Sequence, residues 1–571
     1  MTPSRTRARP LRQWIPEILL LLVTTAAGFW ASGRWLTPIE DPGGWWTLLH
    51  RLVNGERLYR DIDLQYAPLS PHLLAFFGRV FGLSPTAFLL MNWVPAILLA
   101  LLLLHAGRPY LNERERLAVL GLLLALGVFA PGRAHLVLPY SPAAVHALVF
   151  SVLALLLLQR ETPRPSDAIA AGALAGLAFC SKQEIGLVAL CALASPVVLR
   201  GPRGWRWLLA ASAAFLCVAG AGILIVLGSA SLESLRNDSH FWPFGGVPEA
   251  WKHHAGVTTG LADAGWPGRL GVAILSFGYL AAVIGLLSLL AARDRRVRRP
   301  LVPVLLCVLL VGGVAEGRVL FGKSAEARLL LMPFALALAV FAWRDRSRPG
   351  RDFLVALGLF GGLEATRTAV SVHIRSPYAG VTGVSTALTF ALFSFCFLPE
   401  LWPGGGEPAR IARRIWSFTL LAAAAWGTWL AVRDLRATPE VIVETPRGRV
   451  WIPESSAPLF DALGRNLRPG EKALVVPVPN GIEALYKLRS DSPLLYHMPG
   501  WLDARIEEQM LHRYEQGGPD VVVIFDRPTW EFGVAPFGQG FGKRLAGWLE
   551  SNYAPVASPP GAVILRRKPG P

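Results

Sequence analysis

The sequence predicts an all-α polytopic membrane protein of about thirteen transmembrane helices, followed by a small extracytoplasmic α/β domain. Of the 571 residues 53% are hydrophobic and 17% are charged, which is too little charge to cover a soluble chain of this length. The apolar residues come in blocks of about twenty, the length that crosses a hydrocarbon core. Such blocks must be helical, because lipid offers no partner to a free backbone N–H or C=O.

The formal net charge of +17 does not indicate a nucleic-acid-binding protein, because of where the charge lies. The arginines stand in short clusters between the apolar blocks, and the densest cluster runs over 293–299. Short loops rich in arginine are held on the cytoplasmic face of a membrane. With the N-terminus in the cytoplasm, every such cluster falls on the same side, as the positive-inside rule requires.

The helices alternate between the two faces, beginning with one at about 15–33 that leaves the cytoplasm. A cleavable signal peptide is rejected there, because no A-x-A-like site follows. The other predicted helices cover 85–106, 117–131, 139–159, 167–180, 185–199, 207–229, 269–292, 301–315, 327–343, 353–370, 382–400 and 415–432. Long outer loops are expected at 34–83 and 230–268, within a transmembrane domain that spans 1–432.

Residues 433–571 have the character of a separate α/β domain on the outer side. Short β-branched runs predict strands at 472–479, 520–525 and 562–566, and helical spacing covers 502–516. This domain offers no catalytic constellation and is interpreted as a supporting or acceptor-docking unit. Its candidate glycan contacts are Trp501, Asp503, Arg505 and Tyr514.

No cofactor or metal site is predicted, although a divalent-cation requirement is left open. The five cysteines lie in apolar blocks without a CxxC pair and are read as small buried residues. Asp238, His240, His253 and His254 match no ligand spacing and are read as loop residues. Walker A, G-x-G-x-x-G, H-E-x-x-H and G-x-S-x-G motifs are missing from the sequence, which fits a donor that is not nucleotide-linked.

Two acids, Glu40 and Asp41, come together at the mouth of the first helix. The aromatic and apolar stretch at 45–52 is typical of a helix that lies in the membrane interface. A carboxylate there suits a substrate with a lipid tail and a reacting head in water, since it accepts the proton of an attacking hydroxyl as a general base. The alternative is that both acids are merely solvated at a helix exit.

The rest of this loop adds a recognisable pattern. Asp41 stands 14 residues before Gly55, Tyr59-Arg60-Asp61 forms a Y-x-D, and 67–71 (APLSP) form a proline-rich turn. The pattern resembles the first periplasmic loop of the GT-C membrane glycosyltransferases, the superfamily of protein O-mannosyltransferases and the lipid A aminoarabinose transferase. The span count, the long first loop and the C-terminal domain are similar to that superfamily as well.

One feature departs from the GT-C pattern. Relatives often carry Asp-Glu at the acidic pair, whereas this chain has Glu40-Asp41-Pro42. Aligned on Gly55, the resemblance implies that Asp41 is the catalytic base and that Pro42 replaces the second acid. Glu40 either substitutes for that acid or is itself the base. The replacement also leaves open a catalytically silent relative that serves as a binding subunit.

A second stretch, 176–184 (GLAFCSKQE), is similar to the G-L-A-x-x-[ST]-K segment common in these enzymes. It places Lys182 at the outer end of a helix in apolar surroundings, where a lysine is costly without an anionic partner. A lipid-linked phosphate is a natural partner. The alternative is that Lys182 reaches toward headgroups or pairs with Glu184.

Further polar residues on the outer face are expected to bind substrate. Together they would neutralise the leaving phosphate, whose developing charge must be stabilised. Arg328 is reminiscent of an arginine at the same place in relatives. The complete set is Lys182, Tyr59, Asp61, Arg133, His135, Lys323, Arg328, His373 and Arg375.

The resemblance implies a glycosyltransferase that moves a sugar from a polyprenyl-phosphate donor to a glycan, lipid or protein hydroxyl, with inversion at the anomeric carbon. A transporter or flippase of a lipid-linked or anionic substrate is the alternative from another class. That alternative predicts charges buried mid-helix and an internal repeat. The notable charges here stand at predicted helix ends and in outer loops, and the sequence has no internal repeat, so the enzyme is favoured.

Overall fold

A helical bundle is followed by a domain built on β-sheets. The computed structural model describes residues 11–31, 38, 41–128, 141–160, 164–237, 240, 248–258, 331–345, 348–370, 388–396, 407–437, 439–478 and 480–569. Helices α1 to α6 cover Ile15–Ala31, Asp41–Val53, Leu69–Phe81, Pro85–Gly107, Glu113–Leu123 and Pro142–Leu156. Helices α7 to α12 cover Pro165–Ser181, Gln183–Leu193, Ser195–Arg200, Pro202–Ser229, Leu232–Asn237 and Glu249–Thr258. Helices α13 to α16 cover Leu331–Arg344, Arg351–Val370, 388–396 and Glu407–Ala437.

Local sequence fixes where several of these helices begin. Ser84 accepts a hydrogen bond from the Ala87 N–H at the start of α4, and Pro85 takes the first helical position, where no N–H is needed. Asn112 and Glu115 form a reciprocal capping box at the start of α5. These signals explain why the helices begin close to the predicted positions.

Three described helical stretches are long and apolar enough to cross a membrane, judged by length and composition. They are Pro85–Gly107, Pro142–Gln159 and Pro202–Ser229. The helix predicted at 415–432 is longer and runs from Glu407 to Ala437, beyond the boundary drawn at 432. The helices predicted at 269–292 and 301–315 lie outside the described residues.

Loops that the sequence assigns to one face do come together. Arg413 donates to the Glu115 carboxylate at 2.6 Å, and Arg116 pairs with Glu17 at 3.2 Å, so α16, α5 and α1 meet at this end. Further along, Arg200 is paired with Asp352. Buried or half-buried ion pairs of this kind fix the register of neighbouring helices, because an unpaired charge there is costly.

Small residues allow α7 and α10 to pack closely. A Cβ built on Gly172 would lie 1.9 Å from the Ala211 carbonyl oxygen, and one on Gly176 would lie 3.0 Å from the Phe215 carbonyl. The two glycines form a G-x-x-x-G pattern, which lets helix backbones approach. The chain leaves α7 at Ser181 and enters α8 at Gln183, so Lys182 stands alone in extended conformation at the break.

The C-terminal part holds two sheets. A hairpin pairs β1 (Glu440–Thr445) with β2 (Gly448–Pro453). A five-stranded sheet follows, with the order β4-β3-β5-β7-β6. Its strands β3 to β7 cover Lys472–Val476, Arg489–Ser490, Val521–Phe525, Tyr553–Ala557 and Ala562–Arg567, and helices α17 to α20 cover Ala457–Asn466, Ile482–Leu485, Ala504–Glu515 and Lys543–Asn552. The three strands predicted from the sequence, and the helix between them, are present.

The helix predicted in the first outer loop is present as α2, but its surroundings differ from the expectation. Trp45, Trp46, Leu48, Leu49 and Leu52 are all at most 2% exposed, since α3, α4 and the C-terminal domain cover them. The apolar face of this helix is therefore covered by protein, and its position at the membrane interface stays a prediction. Its apolar pattern reflects burial in protein, which periodicity alone does not distinguish from burial in lipid.

Exposed apolar side chains are found instead on the next helix, α3. Phe76, Val80 and Phe81 are 58–67% exposed on one side of it, while Leu74 and Ala75 are buried. An exposed apolar face of this kind is what an interfacial helix presents to lipid.

Candidate active site

The candidate base lies at a helix start. Asp41 is the first residue of α2, and Pro42 follows it near the first helical position, where proline is well tolerated. Pro42 thus has a structural reason to stand where relatives often carry a second acid. Glu40 lies outside the described residues.

The first turn of α2 is pressed against the C-terminal domain, and two glycines make this contact fit. A Cβ on Gly43 would lie 2.0 Å from the Pro38 carbonyl oxygen and 2.8 Å from the backbone of Asn480. A Cβ on Gly44 would lie 2.6 Å from the Tyr496 hydroxyl. A side chain at Gly43 would clash with Pro38 and Asn480, and one at Gly44 with Tyr496, so the Pro-Gly-Gly run after Asp41 packs closely against the preceding loop and the C-terminal domain.

The candidate phosphate-binding residue, Lys182, is buried, with 4% of its side chain exposed. Its ammonium lies 4.5 Å from the centre of the Tyr66 ring and 3.3 Å from the Glu184 carboxylate. The pairing with Glu184 that the sequence left open is therefore present. Glu184 is itself 41% exposed, so solvent screens its hold on the buried ammonium.

Tyr66 connects Lys182 to the start of α2. Its ring stacks on Trp45, with the ring centres 5.2 Å apart, and Trp45 stands one helical turn after Asp41. Lysine, tyrosine and tryptophan form one packed column beside the beginning of the helix. Tyr66 was missed by the sequence analysis, although its place just before the proline-rich turn is a signal that could have drawn attention to it.

The Y-x-D residues shape the loop. Tyr59 is buried with a positive φ of 65°, and its hydroxyl donates to the Tyr66 carbonyl at 2.5 Å. Burial raises the pKa of Tyr59 well above its usual value, so the hydroxyl stays protonated as a donor. Asp61 accepts the Arg57 N–H at 2.9 Å and closes a turn. These contacts hold the segment that carries Tyr66.

Asp63 ties the first outer loop to the second. Its carboxylate accepts the His240 N–H at 3.0 Å and lies 2.5 Å from His240 Nδ1. A small cleft with room for about one water molecule opens beside this pair. The cleft is lined by Asp63, Leu64, Gln65, His240, Leu494, Leu495, Tyr496 and Trp501, which come from both outer loops and the C-terminal domain. Neither Asp63 nor the cleft was predicted.

Farther along α2, at His50 and Arg51, the helix and the C-terminal domain share a polar junction. Arg51 is buried and donates to the Ser492 carbonyl at 2.7 Å and to Glu56 at 2.8 Å. His50 Nε2 lies 2.7 Å from the Leu488 carbonyl, while Arg447 approaches its Nδ1 at 2.8 Å. Burial lowers the pKa of His50 to about 4, with a smaller contribution from the nearby arginines, so the ring is neutral at physiological pH.

Glu483 is a buried acid in the same junction. Burial raises its pKa to about 7, against the opposing effect of the Arg51 charge. One of its oxygens accepts from the Ser490 hydroxyl at 3.1 Å, while the other, Oε2, is buried without a hydrogen-bond partner. The junction therefore contains a carboxyl whose charge state changes near neutral pH.

The histidines considered as metal ligands are spread over different contacts. His240 pairs with Asp63, His254 stacks on Phe532 with ring centres 4.6 Å apart, and His253 approaches Gly533. Within the described residues no three side chains of His, Cys, Asp or Glu are grouped as metal ligands. Asp238 lies outside those residues.

Of the candidate glycan contacts in the C-terminal domain, Trp501 lines the cleft. Asp503 caps α19 by accepting the Ile506 N–H at 2.8 Å, and the buried Tyr514 donates to the Asp491 carbonyl at 2.8 Å. Arg505 is exposed on the same helix. The remaining predicted substrate contacts, Arg133, His135, Lys323, Arg328, His373 and Arg375, lie outside the described residues.

This chain is similar to known proteins in sequence and in structure. Residues 65–229, which include Tyr66 and Lys182, match the family model of dolichyl-phosphate-mannose-protein mannosyltransferases. The crystal structure of ArnT from Cupriavidus metallidurans bound to undecaprenyl phosphate aligns over 98% of this chain and 100% of its own, at 13% identity and a TM-score of 0.53. The fold is that of a GT-C glycosyltransferase. The resemblance stated from the first outer loop is confirmed.

Other similar structures are also glycosyltransferases. The Archaeoglobus fulgidus oligosaccharyltransferase aligns over 97% of this chain and 73% of its own, at 13% identity and a TM-score of 0.45. The arabinofuranosyltransferase AftD from Mycobacteria aligns over 99% of this chain and 40% of its own, at 14% identity and a TM-score of 0.41. No curated protein sequence matches the chain. The alignment with ArnT extends from the bundle into the C-terminal sheet region.

Proposed function

We propose that this chain is a membrane glycosyltransferase that moves a sugar from a polyprenyl-phosphate donor to an acceptor hydroxyl. The GT-C fold and the match to a family of mannosyltransferases support this function. The structure of ArnT with undecaprenyl phosphate supports a polyprenyl-phosphate donor. The acceptor is a glycan, a lipid or a protein at the outer face of a bacterial inner membrane.

The reaction is a displacement with inversion. Asp41 takes the proton of the acceptor hydroxyl, whose oxygen attacks the anomeric carbon as the bond to the phosphate oxygen breaks. The phosphate leaves with the bonding electron pair, and Lys182 stabilises its charge. Glu40 is the alternative base. A nearby positive charge is worth most where the leaving oxygen gains charge in a site shielded from water.

One observation carries this assignment most strongly. Lys182 is buried at the break between two helices, and its ammonium is held over Tyr66, which stacks on Trp45 one turn from Asp41. A buried lysine is expensive unless an anion accompanies it, and Glu184, which is 3.3 Å away but 41% exposed, is a partner that solvent screens. The candidate phosphate ligand and the candidate base therefore belong to one small region.

The remaining outer-face residues are proposed as further substrate contacts. Tyr59 and Asp61 also shape the loop that carries Tyr66. Arg133, His135, Lys323, Arg328, His373 and Arg375 are proposed to share the neutralisation of the phosphate. No cofactor is assigned, and a divalent cation that helps to hold the phosphate is tested by chelation.

The proposed topology has about thirteen spans with the N-terminus in the cytoplasm. Residues 1–432 form the catalytic transmembrane domain and 433–571 form the periplasmic domain. The meeting of Arg413 with Glu115 and of Arg200 with Asp352 supports a common cytoplasmic face for those loops.

Sugar transfer in membranes tests the function. Membranes holding wild type, Asp41→Asn or Glu40→Gln at matched expression are given radiolabelled polyprenyl-phosphate sugars, with and without a chelator. Transfer by wild type and Glu40→Gln, but not by Asp41→Asn, supports Asp41 as the base. Equal transfer by wild type and Asp41→Asn moves that role to Glu40. Loss of transfer on chelation, restored by a divalent cation, adds a metal to the site.

The same assay separates the alternatives. A transporter or flippase moves the labelled lipid between leaflets without covalent transfer to an acceptor. A silent subunit shows neither activity but retains binding of the lipid. Pro42→Glu restores the acidic pair of relatives. A gain of activity in that variant would favour the alternative that the natural chain is a catalytically silent subunit.

A further inference from the structure

Glu483, the buried acid of the polar junction, takes no part in the transfer step. Its side chain is 3% exposed, and its Oε1 accepts a hydrogen bond from the Ser490 hydroxyl at 3.1 Å. Within the described part of the chain, its Oε2 has no hydrogen-bond partner. A buried carboxyl that is half satisfied is costly to keep and more costly to ionise, so its presence needs an explanation.

The charged and titratable groups around Glu483 come from three directions. Arg51 of α2 favours the ionised form, Glu56 of the first outer loop opposes it, and Tyr514 of α19 lies within reach of its charge. Burial raises the pKa of Tyr514 well above its usual value, so that hydroxyl stays neutral. Arg51 is already paired with Glu56 at 2.7 Å. Ionised Glu483 is therefore a second negative charge beside one cation, in a place shielded from water.

Hydrogen bonds tie the short helix α18, which carries Glu483, to α2. The Leu488 N–H donates to the Glu483 carbonyl at 2.9 Å, and the Leu488 carbonyl lies 2.7 Å from His50 Nε2 of α2. Arg447 donates to the Ala484 carbonyl at 3.1 Å and approaches His50 Nδ1. Because burial lowers the pKa of His50 to about 4 and arginine stays charged, these contacts keep their charge near neutral pH.

The beginning of α18 reaches the residues that follow Asp41. A Cβ built on Gly481 would lie 2.8 Å from the Pro38 carbonyl oxygen and 3.0 Å from the Gly43 Cα. One built on Gly43 would lie 2.8 Å from the Asn480 backbone. Backbone meets backbone here, with no flexible side chain to absorb a movement. A displacement of α18 therefore reaches Gly43, which stands two residues after Asp41 in the first turn of α2.

We propose that Glu483 is a positioning residue that couples its own protonation to the start of α2. When protonated, it lets α18 stay packed against Gly43, which keeps the first turn of α2 and Asp41 in position. When ionised, it draws water or the Arg51 guanidinium toward α18 and loosens this packing, so sugar transfer slows. The role of Asp41 rests on the proposed function, whereas the coupling between the two helices does not.

The pH dependence of sugar transfer tests the coupling. Membranes holding wild type or Glu483→Gln are assayed with saturating donor and acceptor over pH 5.5–9. We expect wild-type transfer to fall by roughly threefold to tenfold between pH 6 and pH 8, because burial raises the pKa of Glu483 to about 7 and the group ionises over that range. Glutamine resembles the protonated acid in size and charge, so Glu483→Gln should stay active at pH 8.

Two further variants sharpen this assay. Glu507→Gln is the matched control, because Glu507 is a buried acid of the same domain that accepts the Leu545 N–H at 3.0 Å and joins α19 to α20. It should lose transfer with pH as wild type does. Ser490→Ala removes a hydrogen bond that favours ionised Glu483, so it should move the loss to higher pH by roughly 0.4–1 pH unit. This shift decides the question if Glu483→Gln does not fold.

Amide hydrogen exchange measures the coupling without catalysis. The purified full chain, as wild type and as Glu483→Gln, is labelled at pH 6 and pH 8 with times corrected for the intrinsic pH dependence of exchange. We expect the protection of peptides from 41–53 and 480–488 to fall roughly threefold to tenfold at pH 8 in wild type, and to stay constant in Glu483→Gln.

Equal pH profiles of transfer in wild type and Glu483→Gln would overturn the proposal, and so would constant protection of 41–53 in wild type. If no polyprenyl donor gives transfer at any pH, the proposed function fails, while a loss of protection confined to wild type keeps the coupling. If transfer occurs and neither measurement distinguishes the two proteins, only the coupling fails.

Discussion

Two regions of the molecule carry its candidate chemistry, and they are built differently. The lysine region uses neighbours in sequence: α7 ends at Ser181, Lys182 stands in the break, and α8 begins at once. The α2 junction joins residues that are far apart in sequence, such as His50 and Leu488, which are separated by 438 positions. The lysine region can be recognised from a local sequence motif. The α2 junction forms only when the C-terminal domain packs against α2. Perturbing each separately shows whether the reaction needs both.

The largest effect is expected at Lys182. Replacing it by methionine keeps the stem but removes the charge that would stabilise the leaving phosphate. We expect sugar transfer to fall by about two orders of magnitude or more, the scale of removing one charge-stabilising donor at a transition state. Initial rates with saturating donor in purified, reconstituted protein measure this.

Glu184→Gln is the matched control for the lysine region. It breaks the ion pair with Lys182 but leaves the ammonium over Tyr66. Because Glu184 is 41% exposed, we expect a change of less than tenfold. If both variants lose transfer equally, Lys182 serves only to pair with Glu184 and the phosphate role is wrong.

The close packing of α2 against Pro38 and the C-terminal domain is tested at Gly43. Even a methyl group there would meet the Pro38 carbonyl at 2.0 Å, so Gly43→Ala must move backbone. We expect a loss of about 1–3 kcal/mol of stability, as for other overpacked sites, together with a loss of transfer. Thermal unfolding in detergent and the transfer rate are measured on the same preparation.

Gly547 provides the comparison for that substitution. It lies inside helix α20, and a Cβ built there meets nothing within 4 Å. Gly547→Ala should leave the midpoint unchanged or raise it slightly, because alanine is the better helix former. A Gly43→Ala protein as stable and as active as Gly547→Ala would show that this close packing is not required.

A smaller effect is expected from Glu483, the buried acid of the junction. Burial raises its folded-state pKa to about 7, above the value of 4.5 for an exposed glutamate. The folded protein therefore holds a proton that the unfolded chain releases, so this contribution to stability is present below about pH 4.5 and is lost as the pH rises through about 7. Relative to Glu483→Gln, wild type should lose about 1–3 kcal/mol of unfolding free energy over that range.

Thermal midpoints of both proteins at a series of pH values give the difference. The glutamine keeps the size of the side chain but does not titrate. Parallel pH profiles for the two proteins would contradict the raised pKa. If wild type instead becomes more stable relative to Glu483→Gln as the pH rises, burial is not what sets the pKa of Glu483. That result would mean that the folded protein stabilises the charged carboxylate.

The contrast between the regions also explains how much the sequence could predict. Helix positions followed from blocks of apolar residues and from caps such as Ser84, and Lys182 from a local pattern. The burial of Trp45 and Trp46 in protein could not be predicted from the sequence, because an apolar helix face is stable against either protein or lipid. The Asp63–His240 pair and the stacking of Trp501 on Trp251 depend on the docking of distant segments, which no local spacing encodes.

The smallest effect is expected at Tyr66, which links the two regions. Tyr66→Leu removes the ring that holds the Lys182 ammonium and supports Trp45, whereas Tyr66→Phe keeps an aromatic face for both. A cation–π contact of this kind is worth about 0.5–2 kcal/mol, so transfer should fall roughly threefold to thirtyfold in the leucine variant. The phenylalanine variant should retain most activity. Since the ring positions a phosphate ligand, the leucine variant should also raise the KM for the lipid donor. An unchanged donor KM in Tyr66→Leu, or an equal loss in Tyr66→Phe, would mean that Tyr66 acts through its loop and not through Lys182.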